Sequence, residues 1–115
     1  MRRATTPGEV GRKRGGSEKE FQAQILELAR LAGWKAYHTF DSRRSQKGFP
    51  DLCLVRPPEI VFAELKTDSP SAKLRPEQRA WLEALSECPG VEARLWRPGD
   101  FEDMQAMLCE RRKGA

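Results

Sequence analysis

Seven residues, Ile60-Val61-Phe62-Ala63-Glu64-Leu65-Lys66, constrain the fold more than any other stretch of the chain. The first four are apolar whichever way they point, which is the pattern of a central strand covered on both faces. The run then enters Glu64-Leu65-Lys66. Side chains alternate along a strand, so Glu64 and Lys66 share one face. Charges at the end of a buried strand need partners or a ligand.

The segment just before it supplies a partner. Residues 51–55 read as a second strand, and Arg56-Pro57-Pro58-Glu59 as the turn between the two. With the hairpin centred between Pro57 and Pro58, Asp51 faces Glu64, with Cβ atoms roughly 4.5–5.5 Å apart. Opposed carboxylates repel unless a cation lies between them. A divalent ion with oxygen ligands is the natural occupant, and Mg²⁺ commonly takes one or two carboxylates together with water and phosphate. Lys66 is then placed to contact an attacking water or a phosphate oxygen. The alternative is a structural carboxylate–lysine pair at a strand end. A one-residue shift in the turn would also move Asp51 to the opposite face.

Helices flank this hairpin. Ser17-Glu18-Lys19-Glu20 has the form of a capping box, with Ser17 as N-cap and Glu20 at N3. Phe21, Ile25, Leu28 and Ala32 follow at helical spacing, and Gly33 ends the helix. Glu18 is not needed for the cap. Its offset from Phe21 and Ile25 aims it along the core-facing stripe, with Gln22 on the same side, so it can reach the strand ends. Its other role is a favourable charge near a helix N-terminus. Residues 34–40 read as a strand. Pro76 opens a second helix through Trp81, Leu82 and Leu85 to about Cys88, ended by Pro89-Gly90. Residues 91–96 form a fourth strand. Asp100 caps a last helix to about Glu110. The order is α-β-β-β-α-β-α, and Trp34, Trp81 and Trp96 are expected in the core.

The 115 residues suffice for one domain, placed at 17–110. The net charge of +4 is concentrated in residues 1–16, where Arg2, Arg3, Arg12, Lys13 and Arg14 oppose only Glu9. That segment reads as a disordered basic tail. Residues 111–115 form a second basic tail, with Arg111, Arg112 and Lys113. Such tails suit nucleic acid or solubility. Cys53, Cys88 and Cys109 form no CxxC, and they read as buried or half-buried free thiols in a reducing compartment. His38, the single histidine, excludes chemistry that needs two. No apolar run is long enough for a membrane span, and no N-terminal signal is visible, so the expected location is cytoplasmic.

Gly48-Phe49-Pro50-Asp51-Leu52 followed by Phe62-Ala63-Glu64-Leu65-Lys66 resembles the PD-(D/E)XK nuclease signature. The wider pattern resembles its VRR-NUC branch, the virus-type replication–repair nuclease domain. The supporting pieces are Ser17-Glu18 with Phe21-Gln22, Gly33-Trp34, Leu74-Arg75-Pro76-Glu77-Gln78 with Trp81-Leu82, and Val91 to Pro98. Together they cover about residues 17–104. The resemblance implies an α/β fold with a restriction-endonuclease-like core, a mixed four-stranded sheet flanked by helices. It implies a Mg²⁺- or Mn²⁺-dependent phosphodiesterase acting on DNA, with no other small-molecule cofactor. Asp51 and Glu64 would hold the metal, with the Leu65 carbonyl as a further ligand and Glu18 as another candidate, direct or through water. Lys66 would position the nucleophilic water and stabilise charge at phosphorus. Gln78 matches a glutamine near the site in related nucleases. Leu65 stands where many members have Val, which alters only the opposite face.

Small stand-alone members of the family look like homodimers that cut branched DNA such as Holliday junctions. The last helix, with Phe101, Met104, Met107 and Leu108, either forms such an interface or packs on its own sheet. Arg43, Arg44 and Lys47 lie just before Asp51 and are expected to contact phosphates. His38 is a strand residue with a possible DNA contact. Two other readings stay open: a non-catalytic DNA-binding module that keeps the nuclease fold, and a sequence-specific restriction-type endonuclease.

Overall fold

The computed structural model describes residues 17–39 and 46–110. The elements, in chain order, are helix α1 (Glu18–Leu31), strand β1 (Lys35–His38), β2 (Leu52–Arg56), β3 (Glu59–Leu65), helix α2 (Pro76–Ser86), β4 (Val91–Trp96), a 3₁₀ turn (Pro98–Asp100) and helix α3 (Phe101–Cys109). The sheet order is β1-β2-β3-β4. The first two pairings are antiparallel and β3–β4 is parallel. This is the mixed, helix-flanked sheet the sequence implies. None of the helices is long and apolar enough to cross a membrane among the described residues.

The cap of α1 forms as its sequence requires. The Ser17 hydroxyl accepts from the Glu20 amide at 3.0 Å, and the Ser17 amide donates to Glu20 Oε1 at 3.2 Å. Gly33, at φ +91°, turns the chain out of the helix, a conformation that L side chains rarely adopt.

One sheet face carries the core. Leu52 and Leu54 of β2 pair with Ala63 and Val61 of β3, and all four are buried. Phe21, Ile25 and Ala29 of α1 cover them, together with Phe101, Met104 and Leu108 of α3. The last helix therefore packs on its own sheet, with Met107 the one partly buried apolar residue at its margin among the described residues. The opposite face carries α2, whose single buried residue is Gln78. Ile60 and Phe62 on that side are half-buried, so β3 is central but not fully covered on both faces.

Arg56 ties the far end of this core together. Its guanidinium lies 4.4 Å from the centre of the Trp34 ring. It donates to Glu59 Oε1 at 2.9 and 3.1 Å, to the Ala32 and Leu108 carbonyls at 3.0 Å, and to the Glu110 carbonyl. The Trp34 indole donates to Leu108 O at 2.8 Å. Carbonyls at helix C-termini lack intrahelical partners. One buried arginine satisfies them at the ends of both α1 and α3.

Several expectations need correction. β1 runs only from Lys35 to His38, with Trp34 drawn into the core and Thr39 already past the strand; Phe40, the last residue expected in it, lies outside the described residues. Trp81 is not a core residue. It is half-buried against Phe49, with ring centres 4.9 Å apart. α2 ends at Ser86, before Cys88. Asp100 places no side-chain cap on α3. Its carboxylate instead accepts from the Arg97 amide at 2.9 Å and closes the 3₁₀ turn. Cys88 and Cys109 are exposed free thiols, and only Cys53 is half-buried. The two tails lie outside the described residues.

Candidate active site

Chain order brings Asp51, Glu64 and Lys66 to one end of the β2–β3 hairpin. The observed register pairs Arg56 with Glu59 and Leu52 with Ala63, so the Pro57-Pro58 turn is centred as the sequence suggests. One step further, Asp51 stands opposite Glu64. Asp51 has left the strand, and its carboxylate turns across to accept the Leu65 amide at 2.8 Å. The Asp51 carbonyl accepts from the Thr39 amide at 3.0 Å. Lys66 lies just past the end of β3, where its amide donates to the Trp96 carbonyl at 3.0 Å.

Glu64 is 3% exposed. Gln78 Nε2 donates to its Oε2 at 2.9 Å, and Lys66 Nζ lies 3.9 Å from the same oxygen. The other oxygen, Oε1, is buried without a hydrogen-bond partner among the described residues. Burial, and next the Asp51 charge, push the Glu64 pKa up to about 8. Lys66 pulls it down, while the nearness of the Asp51 carboxyl group and the Glu18 charge add to the rise. A buried carboxylate with an orphaned oxygen beside a second carboxylate has a deficit of positive charge.

Gln78 reaches Glu64 because its amide is fixed at both ends. Its Oε1 accepts from the Arg75 amide at 2.9 Å, one half of a capping box at the start of α2. Glu18, in the first turn of α1, is exposed rather than part of the buried stripe. Its carboxyl still feels the site: partial burial raises its pKa, the Asp51 charge adds to that, and Lys66 opposes it.

Lys47 is exposed. His38 pairs with Leu52, one residue from Asp51 but on the opposite sheet face from Glu64. Arg43 and Arg44 lie outside the described residues.

The donor set suits a hard cation. Among the described residues no group of three or more His, Cys, Asp or Glu side chains forms a ready-made metal cluster. Two carboxylates with an unpaired buried oxygen match an ion that keeps much of its water, as Mg²⁺ does.

Residues 10–97 match the VRR-NUC domain. The chain belongs to that family. No curated protein matches it. The VRR-NUC match begins before the resemblance read from the motifs and stops at Arg97, short of α3. Membership makes this a nuclease-type domain that acts on DNA, hence a hydrolase in the broad sense, and PD-(D/E)XK-like domains of this kind generally use divalent metals.

The sequence reading named Gly48, Phe49 and Trp81 as pieces of the motifs but missed the contacts they make around this VRR-NUC site. Gly48 packs on the backbone of Glu77, and Phe49 meets both Trp81 and Phe62 edge to face. The signal available was a lone glycine inside a polar loop directly before Phe-Pro-Asp, which marks a close backbone approach or a special φ.

Proposed function

We propose that the protein is a Mg²⁺- or Mn²⁺-dependent endonuclease that hydrolyses DNA phosphodiester bonds at Asp51, Glu64 and Lys66, with a preference for branched DNA such as Holliday junctions. The observation that carries this reading is Glu64 Oε1, buried and unpartnered beside Asp51. Asp51 and Glu64 are the residues that would hold the ion, with the Leu65 carbonyl and Glu18 as further candidates. When bound, the ion supplies an activated water and offsets charge on the scissile phosphate.

The chain's own groups do the rest. Gln78 holds the Glu64 carboxylate in one orientation through Nε2. The Leu65 amide does the same for Asp51. The Lys66 ammonium, beside Glu64, donates to the attacking water or to a phosphate oxygen, where negative charge grows as the new P–O bond forms. Arg43, Arg44 and Lys47 contact phosphates flanking the scissile bond, with His38 as a further contact. These contacts position the DNA without reading sequence. The preference for branched DNA, and a homodimer that cuts two strands symmetrically, rest on the family resemblance. A cytoplasmic location belongs to this reading on the sequence alone.

The test is cleavage of labelled four-way junction, flap and linear duplex DNA in Mg²⁺, Mn²⁺ or EDTA, with wild type beside Asp51→Asn. Metal-dependent cutting of the junction by wild type and its loss in Asp51→Asn are expected. DNA binding without cutting by either protein would favour a non-catalytic module. Discrete fragments from unbranched plasmids would favour sequence readout.

A further inference from the structure

α2 touches both halves of the carboxylate pair. Through Gln78 it holds Glu64. Through its neighbouring flank it holds the segment that delivers Asp51. Glu77 and Trp81 lie one turn apart, so they share a helix face. Gly48 sits on the first and Phe49 on the second.

The Gly48 contact leaves no room. A Cβ there would lie 2.7 Å from the Glu77 backbone carbon and oxygen, and Gly48 holds φ +89°. Phe49 wedges between Trp81 at 4.9 Å and Phe62 of β3 at 5.8 Å, edge to face in both contacts. Pro50 is buried, and its carbonyl accepts from Thr39 Oγ1 at 3.3 Å. The chain therefore reaches Asp51 with three consecutive residues seated.

We propose that Gly48 and the Phe49–Trp81 contact are positioning residues of the metal site, which make α2 the common reference for Asp51 and Glu64 and so set the separation of the two carboxylates. This rests on the metal-dependent nuclease reading above. Moving the segment off α2 shifts Asp51 while Gln78 keeps Glu64 in place, so the pair loses its fit to one ion. The effect falls first on metal affinity and only through it on turnover.

The experiment is calorimetric titration of Mn²⁺ into the full chain without DNA, paired with junction cleavage across a Mn²⁺ series. Gly48→Ala is expected to weaken Mn²⁺ binding by about tenfold or more, with cleavage partly recovered at high Mn²⁺. Trp81→Ala should weaken it severalfold, and Trp81→Phe, which keeps an aromatic edge for Phe49, should restore most of the loss. Ile25→Val, which lowers stability through the core alone, should keep the wild-type Mn²⁺ affinity. The Trp81 pair keeps the test decisive if Gly48→Ala does not fold. Unchanged Mn²⁺ affinity in the Gly48 and Trp81 variants, with wild type binding normally, would overturn this inference alone. A wild-type protein that binds no Mn²⁺ would overturn the metal-site reading and this inference with it.

Discussion

Ionising Glu64 is opposed by its burial and by Asp51, and that opposition is measurable without any metal. Its folded pKa, about 8, lies above the ordinary value of 4.5. Between those values the folded chain keeps a proton that the unfolded chain has lost. Stability in EDTA should therefore fall as pH rises through this window, by up to about 1.4 kcal/mol per pH unit, and level off above it. Glu64→Gln should remove most of the slope, leaving a smaller part from Glu18, whose pKa is also raised. Thermal midpoints from pH 5 to 9 would check this. An equal slope in wild type and Glu64→Gln would mean that Glu64 is not the group responsible. Asp51, Glu64 and Lys66 were readable from alternation along the strands and the placement of one turn. Gln78 was readable only through family resemblance, because nothing in local spacing says that a helix will reach across to Glu64. Gly48 was legible only as a lone glycine before Phe-Pro-Asp; what it packs on, the backbone of Glu77 far along the chain, was not.

Elements announce themselves where their ends are chemically marked. Ser17 and Glu20 marked α1, and Pro76 marked α2. Ser17→Ala should lower stability by about 1 kcal/mol, the usual loss for an N-cap hydroxyl, in a denaturant melt. The strand boundaries were less legible because tertiary contacts fix them. Asp51 leaves β2 to bind the Leu65 amide, and Trp34 leaves β1 for the core. Arg56 is the strongest case of an element-level role hidden in sequence. It looks like a turn residue before Pro-Pro, yet it joins two helix ends to the hairpin. Arg56→Met should cost about 3 kcal/mol or more, because it removes the guanidinium from Glu59 and from the Ala32 and Glu110 carbonyls, while the Leu108 carbonyl keeps the Trp34 indole. Arg56→Met with Glu59→Met should recover part of that loss in the same melt. A double variant no more stable than the single would show that the carbonyl contacts, not the ion pair, dominate.

At the scale of the whole molecule, the sheet order and the parallel β3–β4 pairing depend on how the α2 crossover packs, and no single segment encodes them. The charge distribution is different, because it needs no fold to be read. Residues 1–16 hold the chain's net positive charge. Removing them should weaken DNA binding and flatten its dependence on salt, with the slope falling by roughly 0.9 for each phosphate no longer neutralised. Fluorescence anisotropy across a salt series measures this. An unchanged slope would assign the affinity to the folded domain alone.

The Arg56 hub also bears on where this domain can be cut. The family match stops at Arg97, but Leu108 and Glu110 supply two of the carbonyls that hold the buried guanidinium, and Leu108 also receives the Trp34 indole. A fragment trimmed to the matched boundary would take two carbonyl acceptors from Arg56 and the acceptor of the Trp34 indole, and would expose the apolar surface that Phe101, Met104 and Leu108 cover. Such a fragment should express as insoluble aggregate, whereas one carried through Glu110 should stay in the supernatant. For recombinant work and for grafting this nuclease-type domain onto other proteins, the solubility of these two fragments would test whether the unit extends one helix beyond the family match.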